Sequence, residues 1–164
     1  MLFDGRWTSM ALDLVIFIAW IVIVVFAIAP KRIALVDIVF LYFITVILIT
    51  STFTFLDVNL HAVTVSRSVG KSFAAIISRM IPIPLLLIIS VNALRSSLQV
   101  KYKWWIGCAV LLVLTAYDWL LKWSDVIMYR NWNVLYVFVM YSLFMAVINL
   151  IAWWFVNLGR KEAQ

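Results

Sequence analysis

Polar residues in this chain are gathered into short intervals, and between them run apolar blocks about as long as a bilayer is thick. A spanning helix needs roughly 20 mainly apolar residues. Met10–Ala29, Ile33–Leu56, Phe73–Ser97, Trp104–Leu121 and Val134–Asn157 are blocks of this kind. Runs such as Leu14 to Ala29 are continuous, whereas the strands of a membrane barrel would alternate in segments of about ten residues. The pattern predicts an all-α integral membrane protein, a single domain made of a bundle of five transmembrane helices with short loops.

The intervals between blocks refine this map. Pro30, Lys31 and Arg32 close the first block, because proline disfavours helical geometry in the residue before it and cations favour headgroups. So short a turn predicts an antiparallel hairpin of the first two helices. Ala27-Ile28-Ala29 has the small-x-small form of a signal-peptide cleavage site. The apolar run before it is long, and the positive charge follows rather than precedes it, so the segment is read as a retained helix. The third block is the least regular. Its strongly apolar core, Ile81–Leu94, is short, and extending it back to Phe73 brings Arg79 inside. An arginine can snorkel toward an interface a turn or two away, so a span is the preferred reading. Pro82 and Pro84 should distort its first turns. The alternative is a re-entrant hairpin, which requires protein or water to cover its backbone. Asp57–Ser72 is the one long polar stretch between blocks. Its Val58, Ala62, Val65, Val69 and Phe73 recur with helical spacing, which predicts an interfacial helix. Its β-branched residues and Gly70 favour an irregular loop instead.

Composition narrows the function. Charged residues make up 12% of the chain, against about 25% in an ordinary soluble domain. The net charge of +6 is spread over short loops, where it sets orientation beside anionic headgroups. There is no domain-sized basic patch, so nucleic acid is not an expected partner. With one cysteine, Cys108, and one histidine, His61, the chain has no pair for an intrachain disulfide and too few ligands for a Cys/His metal site. No glycine-rich phosphate loop or nucleophile motif is present. No catalytic residue, metal or cofactor is expected, and the chain reads as non-enzymatic.

Tryptophans fall where the map puts the interfaces, as an indole with an apolar body and a polar edge should. Trp104, Trp105, Trp153 and Trp154 mark one surface, and Trp7, Trp119, Trp123 and Trp132 the other. The Lys31-Arg32 pair abuts the first helix and no comparable pair precedes it. Orientation usually follows that helix, which places the N-terminus outside the cell and the C-terminus in the cytoplasm.

The intramembrane charges are the candidate site. Arg79 and Asp118 should lie at similar shallow depth on the third and fourth helices, and an intramembrane charge usually pairs. The expected structure is an Arg79–Asp118 ion pair fixing helix packing. Cys108, Thr115, Asp118, Lys122 and Asp125 follow at helical steps on the fourth helix, which predicts one inward polar face. Asp57 and His61, four apart, should share a face on the same side of the membrane. With Lys122 and Asp125 they form a candidate polar cluster. Thr45 with Thr52, Ser90 with Asn92, and Ser142 with Asn149 are expected to hydrogen-bond between helices.

Two local patterns carry a resemblance. One is Arg79-Met80-Ile81-Pro82-Ile83-Pro84-Leu85 leading to Asn92. The other is Tyr129-Arg130-Asn131-Trp132-Asn133 opening the fifth helix. With the order of the spans, they resemble small five-pass membrane proteins of spore-forming Bacillus-type bacteria, a family without an established activity. The resemblance implies a bacterial cytoplasmic membrane and the helix count, and carries over no site residue. The role expected is an accessory or structural membrane component that binds lipids, a protein partner or further copies of itself. The alternative is a small oligomeric transporter or permeability component.

Overall fold

The computed structural model describes residues 3–66, 68–96, 99–130 and 133–162, with side chains described from Met10 to Phe155 within those ranges. Its elements are α1 (Phe3–Ile28), α2 (Leu35–Val58), β1 (Val63–Val65), α3 (Val69–Met80), α4 (Pro82–Leu94), α5 (Val100–Trp123), β2 (Ile127–Tyr129) and α6 (Val134–Glu162). Taking α3 and α4 as one broken helix, five helices are long and apolar enough to cross a membrane. The expected fold class is the observed one. The long helices carry apolar residues around most of their circumference, which in so small a chain requires a lipid surround. Phe17, Trp20, Phe43, Leu112, Leu143 and Leu150 point outward from the bundle. The belt tryptophans Trp104, Trp105, Trp119, Trp123, Trp153 and Trp154 are likewise exposed. Trp7, Trp132 and Arg67 lie outside the described side chains, as do Arg160 and Lys161.

The broken helix is the hub. Its span is 61% buried, against 22–33% for the other four. α4 packs against α1, α2, α5 and α6, and α3 packs mainly against α1. Small residues permit this: Ala74 and Ala75 on α3 are fully enclosed, and close backbone approach drives association where lipid removes the hydrophobic incentive. The predicted hairpin of the first two helices is corrected here. α1 and α2 are joined by a tight turn, yet each packs on the central helix rather than closely on the other. Asn92, near the end of α4, explains the arrangement. Its amide oxygen accepts from the Arg32 backbone N–H at 2.8 Å, and its amide nitrogen donates to the Pro30 carbonyl at 2.5 Å. One side chain thus holds the turn across the foot of α4.

The break itself follows from proline chemistry. Pro84 has no N–H to offer the Met80 carbonyl four residues back. That carbonyl instead accepts the Tyr42 hydroxyl from α2 at 2.8 Å. Ile81 departs from regular helix at φ −114°, ψ −73°, and Pro82 opens α4 at a position suited to proline. The break follows the twelve residues of α3, about 18 Å along the broken helix at 1.5 Å per residue. The chain continues as a span after it, as the preferred reading has it, and does not turn back.

The Asp57–Ser72 stretch is not an interfacial helix: Asp57 and Val58 end α2, Val69–Ser72 open α3, and the loop between them carries one short strand. That strand, β1, pairs antiparallel with β2 in the register Val63↔Tyr129, Thr64↔Met128, Val65↔Ile127. Ser66 N–H to the Val126 carbonyl and Arg130 N–H to the Ala62 carbonyl extend the ladder at both ends. The ribbon wins because β-branched Val63, Thr64 and Val65 suit a pleated, half-buried surface, and Val63 and Ile127 are buried beneath it. It also stitches together the two loops that a five-span map puts on one side.

Candidate functional site

The intramembrane polar groups converge on one region near the ribbon side of the bundle. The last turn of α3 brings Ser78 and Arg79 to it, α5 brings Tyr117 and Asp118, α6 brings Tyr141, and the end of α2 brings Phe53 and Asp57. Asp118, Ser78 and Tyr141 are all but inaccessible.

Each hydroxyl has an assignable job. Ser78 Oγ donates to the Ala74 carbonyl at 2.7 Å. Its single proton is thereby used, so in the 2.6 Å contact with the Tyr117 hydroxyl the tyrosine donates. Tyr141 donates to Asp118 Oδ1 at 3.2 Å. Asp118 is therefore held by a neutral donor from α6.

Arg79 does not pair with Asp118 directly, which corrects the expected ion pair. Its guanidinium lies over the Phe53 ring, 4.6 Å from the centroid, a cation–π contact of the kind favoured where water is excluded. Its Nε and Nη2 are buried with no hydrogen-bond partner. Asp57, Asp118 and Tyr141 nevertheless all lie within its electrostatic range. Each charge instead has its own enclosed neighbour: the guanidinium lies on Phe53, and Asp118 Oδ1 accepts from Tyr141. Arg79 also sits in the final turn of α3, where unpaired carbonyls favour a cation.

The candidate cluster of Asp57, His61, Lys122 and Asp125 does not assemble. α2 ends at Val58, so Asp57 and His61 share no helical face. His61 is exposed with φ 48°, and its Nδ1 donates to the Asp57 backbone carbonyl at 2.9 Å. Asp57 belongs electrostatically with Arg79. Lys122 is exposed, 5.4 Å over the Tyr129 ring. Asp125 is exposed past the end of α5 with φ 52°. Among the described residues, no three His, Cys, Asp or Glu side chains meet.

The predicted polar face of α5 is also corrected. Of its five residues only Asp118 is buried; Cys108, Lys122 and Asp125 are exposed. The face that turns inward is Gly107, Val110, Leu114, Tyr117, Asp118 and Leu121. Thr115 returns its hydroxyl to the Leu111 carbonyl, so it does not need a buried partner. The same back-bonding absorbs Thr45, Thr52, Ser142 and Asn149, each bonded to the carbonyl four residues earlier, and Ser90, bonded three residues back. These groups satisfy themselves within one helix instead of bridging two. The residues that do bridge include Tyr42, Ser78 with Tyr117, Asn92, and Tyr141 with Asp118. Nothing in the sequence marks the three tyrosines as bridges, because an aromatic in an apolar run reads as lipid-facing. The usable signal was that a buried Asp118 needs a donor.

No protein family, curated protein or solved structure matches this chain.

Proposed function

We propose that this multi-pass protein is a non-enzymatic accessory or structural component of a bacterial cytoplasmic membrane, acting through its outer surface toward lipids or a membrane partner. The observation that carries the reading is the closure of the polar core. Arg79 is half-buried with its Nε and Nη2 inaccessible, Asp118 is 1% exposed, and the hydroxyl protons around them are spent on the Ala74 carbonyl, Ser78 and Asp118. His61, the one histidine, stands outside at the surface. A catalytic or transport site would need these groups on a path open to water or substrate. The resemblance of Tyr129–Asn133 and of the Arg79–Leu85 run supports the bacterial membrane, and Lys31-Arg32 beside the first helix supports an external N-terminus.

A small transporter remains the second reading, on one observation. A discontinuous central helix that carries an ionisable residue beside its break is a device by which transporters bind ions at mid-membrane. Proteoliposomes carrying an internal pH dye separate the two. Under an imposed potential, wild-type vesicles should leak protons no faster than protein-free ones. A flux that Asp118→Asn or Arg79→Leu abolishes would replace the first reading with the second.

A further inference from the structure

We infer that the seam between α1 and α5 holds one phospholipid whose headgroup carries both a phosphate and a primary ammonium, of the phosphatidylethanolamine type. The inference rests on the reading of this protein as one that acts toward lipid, and specifies which lipid and where.

α1 and α5 both pack on the central helix and not closely on each other, which leaves a groove along their seam. Its upper part is a cleft of about 580 Å³ at the ribbon side of the bundle, within the usual range for ligand sites of about 300–1,000 Å³. Met10, Ala11 and Leu14 form its apolar wall, and Lys71, Ser124 and Asp125 its polar rim, beside Trp123. Deeper in the bilayer the same seam opens again as an apolar hollow of about 280 Å³. Ile18 and Val22 continue the α1 wall, and Val113, Ala116 and Leu120 the α5 wall, with Leu86 of α4 as floor. Met10, Leu14, Ile18 and Val22 recur at four-residue steps, so the two openings share one face of α1.

Depth and charge then select the occupant. From Met10 to Val22 is about 18 Å of helix, close to one leaflet of a hydrocarbon core about 30 Å thick. That is the reach of a lipid tail whose headgroup stays at the rim. Among the described residues the rim offers one cation and one anion, and neither Lys71 nor Asp125 has an ion-pair partner there. Lys71 suits a phosphate. Asp125 suits an ammonium that donates hydrogen bonds, the Ser124 hydroxyl can bond the phosphate or ester oxygens, and the Trp123 indole borders the cleft. A purely anionic headgroup would meet the Asp125 carboxylate. A quaternary ammonium would give it no N–H.

The test is lipid retention from nanodiscs of equal phosphatidylethanolamine, phosphatidylglycerol and phosphatidylcholine, read by native mass spectrometry of the released protein. The wild type should retain one lipid, with phosphatidylethanolamine favoured over each competitor by about tenfold, or about 1.4 kcal/mol. Asp125→Asn should erase the preference over phosphatidylcholine and keep the bound lipid. Lys71→Gln should lower retention of all three. Ala116→Phe, which fills the lower hollow, should do the same. If Ala116→Phe fails to fold, the two rim variants decide alone, since neither side chain supports the core. Equal or greater retention of phosphatidylglycerol would overturn the assignment. So would a preference unchanged in Asp125→Asn, or no retained lipid. Tight vesicles with no lipid preference would sink this inference alone, whereas a proton flux would sink the accessory reading and leave lipid retention untouched.

Discussion

Arg79→Leu and Asp118→Leu should each lower unfolding stability in detergent by about 2–3 kcal/mol, and the double variant should recover about 1–2 kcal/mol of the combined loss. Breaking a buried pair in direct contact costs about 3–5 kcal/mol, but here Arg79 lies on Phe53 and Asp118 is bonded by Tyr141, with no direct contact between the two charges. The charges therefore act across a gap, and at an effective dielectric of about 20 such a separation still leaves a coupling of the order of 1–3 kcal/mol. Asp57 shares the work of compensating Arg79, so Asp118→Leu alone should not unfold the protein. Equilibrium unfolding of the two singles and the double closes the cycle. Strict additivity would mean that the two residues are independent, and the buried cluster would lose its organising role.

The second large effect concerns the proline break. Tyr42→Phe strips the Met80 carbonyl of its donor. In hydrocarbon, where no water can substitute, an orphaned backbone group costs several kcal/mol, and relaxation of the break should bring the observed loss to about 2 kcal/mol. Pro84→Ala restores a backbone N–H four residues from Met80. In that background Tyr42→Phe should be nearly neutral. The measurement is the same stability cycle, and an undiminished Tyr42→Phe penalty in the Pro84→Ala protein would show that Tyr42 contributes by packing and not by its hydroxyl.

The spans were legible because bilayer insertion is written in run length, and a run such as Ile33–Leu56 admits one reading. Which face of each helix turns inward was much less legible. In water an apolar residue points to the core, but in lipid an apolar residue is at home on either side. Leu112 and Leu114 are alike in sequence, yet one is exposed and the other buried. Polar residues should break that tie, and on α5 they misled. Cys108 and Thr115 tolerate or satisfy themselves in lipid, so only Asp118 carried orientation. The ribbon was hidden for another reason. Two three-residue strands pair across a sequence separation of more than sixty residues, and no local signal announces such a partner. Val58, Ala62, Val65 and Val69 meanwhile mimic a helical period. At the site, Arg79 and Asp118 were legible as charges that must be compensated. Their compensation through an aromatic ring and a tyrosine hydroxyl was not, because it depends on which neighbours the fold brings to each charge.

A core closed to water inside a five-span frame is the central requirement of the accessory role. Single cysteines in a Cys108→Ser background test this directly, at Thr45 and Ala75 inside the bundle and at the exposed Asn59 and Gln99 beyond its opposite ends. A small membrane-impermeant thiol reagent should modify position 59 from one face of the membrane and position 99 from the other, and should leave positions 45 and 75 unmodified from either. Modification of position 75 at a rate comparable with position 59 would reveal a water path to the Ser78–Arg79 turn and contradict the sealed core.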